Sequence, residues 1–76
     1  MNEMSDVLKE ISALSAMQIM LEEYSSKNGI SFEEAINKFS NSKTYEVLFD
    51  FETELWKEGP DYLLEWFERE LRGKAS

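Results

Sequence analysis

Apolar residues recur at intervals of three or four along most of the chain, which is the spacing of one face of an α-helix. The alternation of apolar and polar residues that is typical of a half-buried strand does not run along any segment. The pattern therefore predicts an all-α fold, a compact bundle of about four helices. These helices are expected at residues 6–27, 32–40, 43–57 and 60–72. We expect residues 1–76 to form a single helical domain, with disordered ends at 1–4 and 74–76.

Capping residues support the first two of these boundaries. Ser5 is placed to cap the first helix, and Asn28-Gly29 supplies the left-handed residue that commonly ends one. Ser31 followed by Glu34 matches the capping box, in which the two residues satisfy free backbone N–H groups at a helix start. This is the strongest local signal in the sequence, and it predicts that a second helix begins directly after Ser31.

Turn residues divide the second half of the chain in the same way. Asn41 or Ser42 is expected to start the third helix. Gly59 ends that helix in this interpretation, and Pro60 occupies the first turn of the fourth, where a backbone N–H would have no helical partner. Gly73 is expected to end the fourth helix. No internal repeat or long linker interrupts the pattern.

The first and fourth helices carry more apolar surface than a small core requires. The apolar stripe of the first helix covers about half of its circumference; its members are Val7, Ile11, Leu14, Met17, Met20, Leu21 and Tyr24. The stripe of the fourth helix is wider still; its members are Tyr62, Leu63, Leu64, Trp66, Phe67 and Leu71. A surface helix needs a stripe only somewhat wider than ~100°. The excess either covers a small core from two directions or forms a homodimer interface, and both readings stay open.

Composition excludes several kinds of chemistry. The chain has no His and no Cys, so it lacks an imidazole for acid–base catalysis, a thiolate nucleophile and the ligands of a conventional zinc site. Its three Gly do not form a phosphate-binding loop, and no calcium-loop pattern is present. We therefore expect a protein that is not an enzyme and that has no catalytic residue, cofactor or metal.

Acidic residues outnumber basic ones by 16 to 8, which gives a formal net charge of −8. Direct binding to nucleic acid or to an anionic membrane needs clusters of Lys and Arg, and here these residues are scattered. The sequence shows neither a secretion signal nor a membrane-spanning segment, so a cytoplasmic location is expected. Because surplus negative charge favours association with positive surfaces, the expected partner is a cognate protein with a basic surface.

One charge pattern in the third predicted helix stands apart from the rest. Acidic residues at four-residue spacing would form a ridge along one side of a continuous helix; they are Glu46, Asp50, Glu54 and Glu58. Each like-charged neighbour pair of this kind costs roughly 0.2 to 0.5 kcal/mol in an isolated helix. The ridge is either a docking stripe for the Lys and Arg of a partner or a solvated helix face relieved by Lys43 and Lys57.

Three further residues are candidates for partner contact. Glu52 is expected to project into an apolar face formed by Tyr45, Leu48, Phe49, Leu55 and Trp56. Burial of a lone carboxylate is costly unless a hydrogen bond or a proton compensates it. A Tyr hydroxyl, a Trp indole, a helix N-terminus or a partner's Arg would do so, and a catalytic role is the remaining alternative. Trp56 and Trp66 would serve as interface anchors if exposed, although burial in the core is favoured for both.

A set of short motifs between residues 17 and 71 matches a known pattern. It consists of a Glu-Tyr pair late in the first helix, a Ser-started second helix with a late Phe, and a Leu, a Gly and a Tyr near the last turn; these are Glu23, Tyr24, Ser31, Phe39, Leu55, Gly59 and Tyr62. In this respect the chain resembles a family of short bacterial helical domains of unknown function with a Leu-His-Thr-x-Gly-x-x-Tyr-like segment. Trp56 and Lys57 stand where that family has His and Thr, so no role of the His transfers.

The resemblance implies a compact helical domain without established enzymatic activity and a place in two-gene modules beside an ADP-ribosyltransferase-like toxin. On that basis the chain is expected to be an antitoxin-like or accessory partner of a bacterial protein. Two alternatives come from other classes of function. One is an inhibitor that mimics nucleic acid and blocks a DNA-binding protein, and the other is a carboxylate- or metal-dependent enzyme.

Overall fold

The computed structural model describes residues 6–75, which form four α-helices and two short 3-10 turns. The helices are α1 (Asp6–Asn28), α2 (Phe32–Ser40), α3 (Lys43–Phe49) and α4 (Pro60–Ala75), and the 3-10 turns, Phe51–Thr53 and Leu55–Lys57, lie between α3 and α4. Within the described range there is no strand, so the all-α prediction is confirmed.

Helix ends in the first half of the chain follow the predicted capping signals. Gly29 adopts a left-handed φ of 66° directly after α1. The N–H of Ile30 then donates to the carbonyl of Ser25 at 3.1 Å, the hydrogen bond that closes a Schellman turn. At the start of α2, the Ser31 hydroxyl accepts the N–H of Glu34 at 3.0 Å, as the capping-box pattern predicts. The predicted Ser5 cap lies outside the described residues.

The sequence predicts the first residue of α4 correctly and its last residue incorrectly. Gly59 has a φ of 93° and turns the chain into Pro60, the first residue of the helix, as predicted. Gly73 does not end the helix, because α4 continues to Ala75, past the predicted end at residue 72. The φ of Gly73 is not positive, so it is an ordinary helical residue. Residues 74 and 75 are thus helical and not a disordered end, whereas 1–4 and Ser76 lie outside the described range.

The third predicted helix, 43–57, is wrong beyond residue 49. The carboxylate of Asp50 accepts the N–H of Glu52 at 3.3 Å, which starts a 3-10 turn in place of another helical turn. The hydroxyl of Thr53 lies 2.8 Å from the carbonyls of Val47 and Asp50. Glu54 then takes a left-handed φ of 63°. Side chains that form hydrogen bonds with nearby backbone groups compete with helix formation. Here the bonds of Asp50 and Thr53 end the helix at Phe49.

Aromatic rings join the second half of α1 to the other helices. The ring of Phe67 on α4 packs against Phe39 of α2 with centroids 5.1 Å apart and against Tyr24 of α1 at 5.0 Å. Phe39 also meets the edge of the Tyr45 ring on α3 at 5.7 Å. Edge-to-face and tilted contacts of this kind add to the free energy gained from burial. All four helices therefore share one aromatic centre.

A single carboxylate ties α4 to the start of α3. Glu70 accepts the backbone N–H groups of Lys43 and Thr44 at 2.8 and 2.9 Å, and the Thr44 hydroxyl at 2.7 Å. A negative charge at this end also interacts favourably with the helix dipole. The buried Thr44 hydroxyl thereby has a partner, and the short α3 has a fixed position against α4.

Candidate interaction surface

The predicted acidic ridge does not form, because the helix that would carry it ends at residue 49. Glu46 remains on α3, whereas Asp50 caps the first 3-10 turn and Glu58 ends the second. Glu54 lies between the two turns and pairs with Lys57 at 3.4 Å. All four carboxylates are exposed, so this part of the chain is acidic surface distributed over successive turns and not a straight helical stripe.

Glu52 is exposed, and the prediction that it projects into an apolar face is wrong. That face required a helix continuous from residue 43 to 57. In the structure Glu52 lies in the first 3-10 turn, and its backbone N–H donates to Asp50 while its side chain stays in solvent. No burial cost therefore arises for its carboxylate.

The two Trp residues differ in burial. Trp56 is 9% exposed, and its indole N–H donates to the carbonyl of Phe51 at 3.0 Å. The Nζ atoms of Lys9 and Lys57 each lie 5.9 Å from the centroid of the Trp56 ring. Trp66 is 37% exposed, so burial in the core, the favoured interpretation for both Trp residues, holds for Trp56 only.

The most exposed apolar side chains lie on α1, mostly in its first half, which the sequence did not single out as a site. Val7 is 64% exposed and Ile11 56%. Five residues form this surface, which is here called the α1 face: Val7, Leu8, Ile11, Leu14 and Ile19. The wide apolar stripe of α1 was the available sequence signal for Val7, Ile11 and Leu14, whereas Leu8 and Ile19 lie outside that stripe. Periodicity alone does not report which part of a stripe stays uncovered.

A groove runs beside the α1 face. It has a volume of about 580 Å³ and is called the α1 groove below. One wall is α1 and the other is the segment that leads into α4; the lining residues include Ile11, Ala16, Ile19, Trp56, Lys57 and Gly59. Ile11 and Ile19 belong to both the face and the groove. The face and the groove thus form one continuous surface.

Exposed charges around this surface are mostly acidic. On α1 the exposed charged residues between positions 6 and 23 are all carboxylates: Asp6, Glu10, Glu22 and Glu23. Lys9 is partly buried and lies over the Trp56 ring. On the far wall, Lys57 pairs with Glu54, and the exposed Glu58 and Asp61 follow in sequence. In the two segments that border the α1 groove, carboxylates therefore outnumber cations, which favours a positively charged partner.

A second groove, of about 370 Å³, lies between α3 and α4. It is lined by Lys43, Thr44, Val47, Trp66, Arg69 and Glu70. Its polar groups already have partners within the fold: Glu70 holds the start of α3, and Arg69 pairs with Glu65 at 2.9 Å. These groups have a structural role, and the most exposed large apolar side chains lie instead on the α1 face.

The described residues hold neither a candidate metal site nor a candidate membrane-spanning helix. No group of three or more acidic residues is arranged to hold a metal ion in residues 6–75. Among the helices described, none combines the length and the hydropathy needed to cross a membrane.

Comparison of the chain with protein-family models, with curated proteins and with solved structures gives no match. The resemblance to short bacterial helical domains therefore stays a prediction. The α1 face, the α1 groove and the charges that surround them are therefore the features of the molecule that bear on its function.

Proposed function

We propose that the protein is a non-enzymatic, acidic protein-interaction module that binds a partner protein with a basic surface through the α1 face. The observation that carries this proposal is the exposure of five large apolar side chains on one helix, at 44% to 64%, beside a groove. A contiguous apolar surface with a polar rim is typical of an interaction site.

Apolar burial is the main source of affinity in this proposal. Full burial of a Val, Leu or Ile side chain contributes about 1.5 to 3 kcal/mol. The side chains of the α1 face are roughly half exposed, so about half of that free energy remains to be gained when a partner covers them. Exposed ion pairs typically contribute about 0 to 1 kcal/mol. The acidic residues around the face therefore act mainly on the rate of encounter and on the choice of partner.

An antitoxin-like or accessory role is one form that such a module would take, and the family resemblance is its support. In that role the chain would cover a basic surface of a cognate protein, with the exposed acidic residues between Glu46 and Glu58 facing the Lys and Arg of that protein. A cytoplasmic location suits this role and a chain without Cys.

The proposal is tested by recovering a partner and rebuilding the complex. The full chain would be used to capture proteins from cells that naturally express it, and a captured protein would be identified by mass spectrometry, purified and titrated by calorimetry. Replacement of Leu14 by Gln should abolish the rebuilt complex, whereas Ile36→Gln, at a comparably exposed position on α2, should leave it intact. Equal binding by the two variants would place the contact elsewhere and refute the proposal.

A further inference from the structure

From the α1 face and its surroundings we infer the form of the partner element: a single amphipathic helix whose apolar edge is flanked by Lys and Arg, lying along α1. This inference rests on the proposed function and adds the class of ligand to it. Three observations support it: the spacing of the exposed row on α1, the shape of the α1 groove, and the sign of the surrounding charges.

The exposed row on α1 has the spacing of a helix-pairing seam. Val7, Ile11, Leu14 and Gln18 follow one another at intervals of four, three and four residues, and all are exposed. A helix that packs along another helix meets this alternation of three and four. The next position of the seam, Leu21, is fully buried in the core. The seam is therefore about 17 Å long, which three turns of a partner helix would cover.

The α1 groove offers room for a large side chain beside this seam. Its lining includes the small residues Ala16 and Gly59 together with the large apolar side chains of Ile19 and Trp56. A helix docked on the seam would direct Leu, Met or Phe side chains at helical spacing toward this recess. Helices that insert an apolar edge into a groove are a recurrent mode of protein recognition.

Charge decides between a basic helix and a second copy of the chain. A second copy would place its own carboxylates close to Asp6, Glu10 and Glu22, and the chain carries a net charge of −8. Like charges opposed across an interface suppress association, whereas opposite charges accelerate it. Lys9, the cation on this half of α1, lies over the Trp56 ring. A helix with Lys and Arg beside its apolar edge is therefore the complementary occupant.

Three labelled peptides of about 18 residues test the inference by fluorescence anisotropy against the full chain at about 0.15 M salt. The first is an amphipathic helix with Leu along one edge and Lys and Arg on its flanks. The second has the same Leu edge with Glu flanks, and the third has the composition of the first in scrambled order. The first peptide should bind at least about tenfold more tightly than either control.

The two controls separate the parts of the inference. Equal binding of the scrambled peptide would show that charge alone drives the contact, and equal binding of the acidic peptide would show that basic flanks are not required. Either outcome would overturn the inference. Absence of binding by all three peptides would overturn it as well.

Matched variants place the peptide on the molecule. Ile11→Gln should weaken binding of the basic amphipathic peptide by about tenfold or more, and Ile36→Gln should leave it unchanged, because both residues are exposed but only Ile11 lies on the seam. Circular dichroism would show that both variants keep their helices. Equal affinities would contradict the assigned position.

Light scattering tests whether a second copy of the chain occupies the α1 face. A dimer of the full chain that Ile11→Gln converts to a monomer would assign the α1 face to a second copy and overturn the inference. Failure of the inference is distinguishable from failure of the proposed function. If the rebuilt partner complex depends on Leu14 while the basic peptide does not bind, the interaction module stands and the helical, basic ligand does not.

Discussion

The two halves of α1 share one apolar periodicity and differ in what covers it. In the second half, residues 16–28, Met20 and Leu21 are fully buried. In the first half, residues 6–15, Ala13 is fully buried, but the four large apolar side chains are 44% to 64% exposed. Helical periodicity therefore reports that a stripe is apolar and does not report how far along the helix the core extends.

The break after α3 accounts for part of this difference. Because α3 ends at Phe49, the chain folds back through two 3-10 turns and brings Leu55 and Trp56 against α1. Trp56 and Ala16 line the α1 groove together, Lys9 lies over the Trp56 ring, and Ala13 is fully buried, so cover reaches into the first half of α1. In the part of the chain that the structure describes, the large apolar side chains of the α1 face nevertheless stay exposed.

The largest expected effect comes from replacing a buried leucine by alanine in the second half of α1, and the same replacement in the first half is the comparison. Leu21→Ala removes a fully buried side chain and should lower the free energy of unfolding by about 2 to 5 kcal/mol, through lost burial and a residual cavity. Leu14→Ala, at an exposed position, should change it by about 0.5 kcal/mol or less. Urea denaturation followed by circular dichroism measures both. Similar losses would show that the two halves are covered alike.

A smaller effect is expected from the carboxylate that anchors the packed region. Glu70→Gln weakens the charge-assisted hydrogen bonds to the start of α3 and should cost about 1 to 3 kcal/mol. Glu65→Gln is the matched control, since its carboxylate pairs with Arg69 on the helix surface, and it should cost about 0.5 kcal/mol or less. Thermal and urea unfolding of the pair give the comparison. A control as costly as Glu70→Gln would argue against the anchor.

Gly29 lies at the end of a helix and Gly73 lies inside one, so replacing each by Ala should have opposite effects on stability. Gly29→Ala forces a side chain into the left-handed region that ends α1 and should destabilise the protein by about 1 to 2 kcal/mol. Gly73→Ala, inside α4 with open space around the new Cβ, should stabilise it by up to about 1 kcal/mol. Opposite signs in unfolding experiments are the expected result. A destabilising Gly73→Ala would restore residue 73 as the end of the helix.

The smallest effect concerns charge on the first half of α1. Glu10→Lys should leave the free energy of unfolding within about 0.5 kcal/mol of the original value, because the residue is exposed. It should nevertheless slow association with the basic amphipathic peptide in stopped-flow experiments, and added salt should reduce the difference. Glu33→Lys, an equally charged change on the exposed side of α2, should have less influence on the rate. Equal slowing by the two variants would indicate a general effect of net charge.

Local rules predicted α1, α2 and the start of α4 because their signals are independent of distant contacts. Ser31 accepts an N–H three residues later, and Gly29 needs only its own backbone conformation. The break after Phe49 also has local causes, since Asp50 and Thr53 bond to neighbouring backbone groups. The repulsion expected among four like charges along a continuous helix from residue 43 to 57 is itself evidence against that helix, whether the ridge is taken as a docking stripe or as a solvated face.

The candidate site was less accessible to sequence reasoning, because burial depends on where the chain turns back. Glu52 was expected to be buried and Trp66 was favoured for the core, but both predictions assumed helix faces that the structure does not form or cover. The role of Glu70 requires knowing that α4 passes the start of α3, which no local pattern encodes. Three residues of the α1 face, Val7, Ile11 and Leu14, belong to the surplus apolar stripe predicted from the sequence, but the pattern does not show that they stay exposed.

The two indole N–H signals offer the most direct test of the α1 face as a docking surface. Trp56 lines the α1 groove and Trp66 lines the groove between α3 and α4, so a ¹H–¹⁵N spectrum reports on both surfaces at once. Titration with the basic amphipathic peptide should shift the Trp56 indole signal and the amide signals of residues 7–19, and should leave the Trp66 indole in place. A shift confined to the Trp66 indole, or no shift at saturating peptide, would contradict the account.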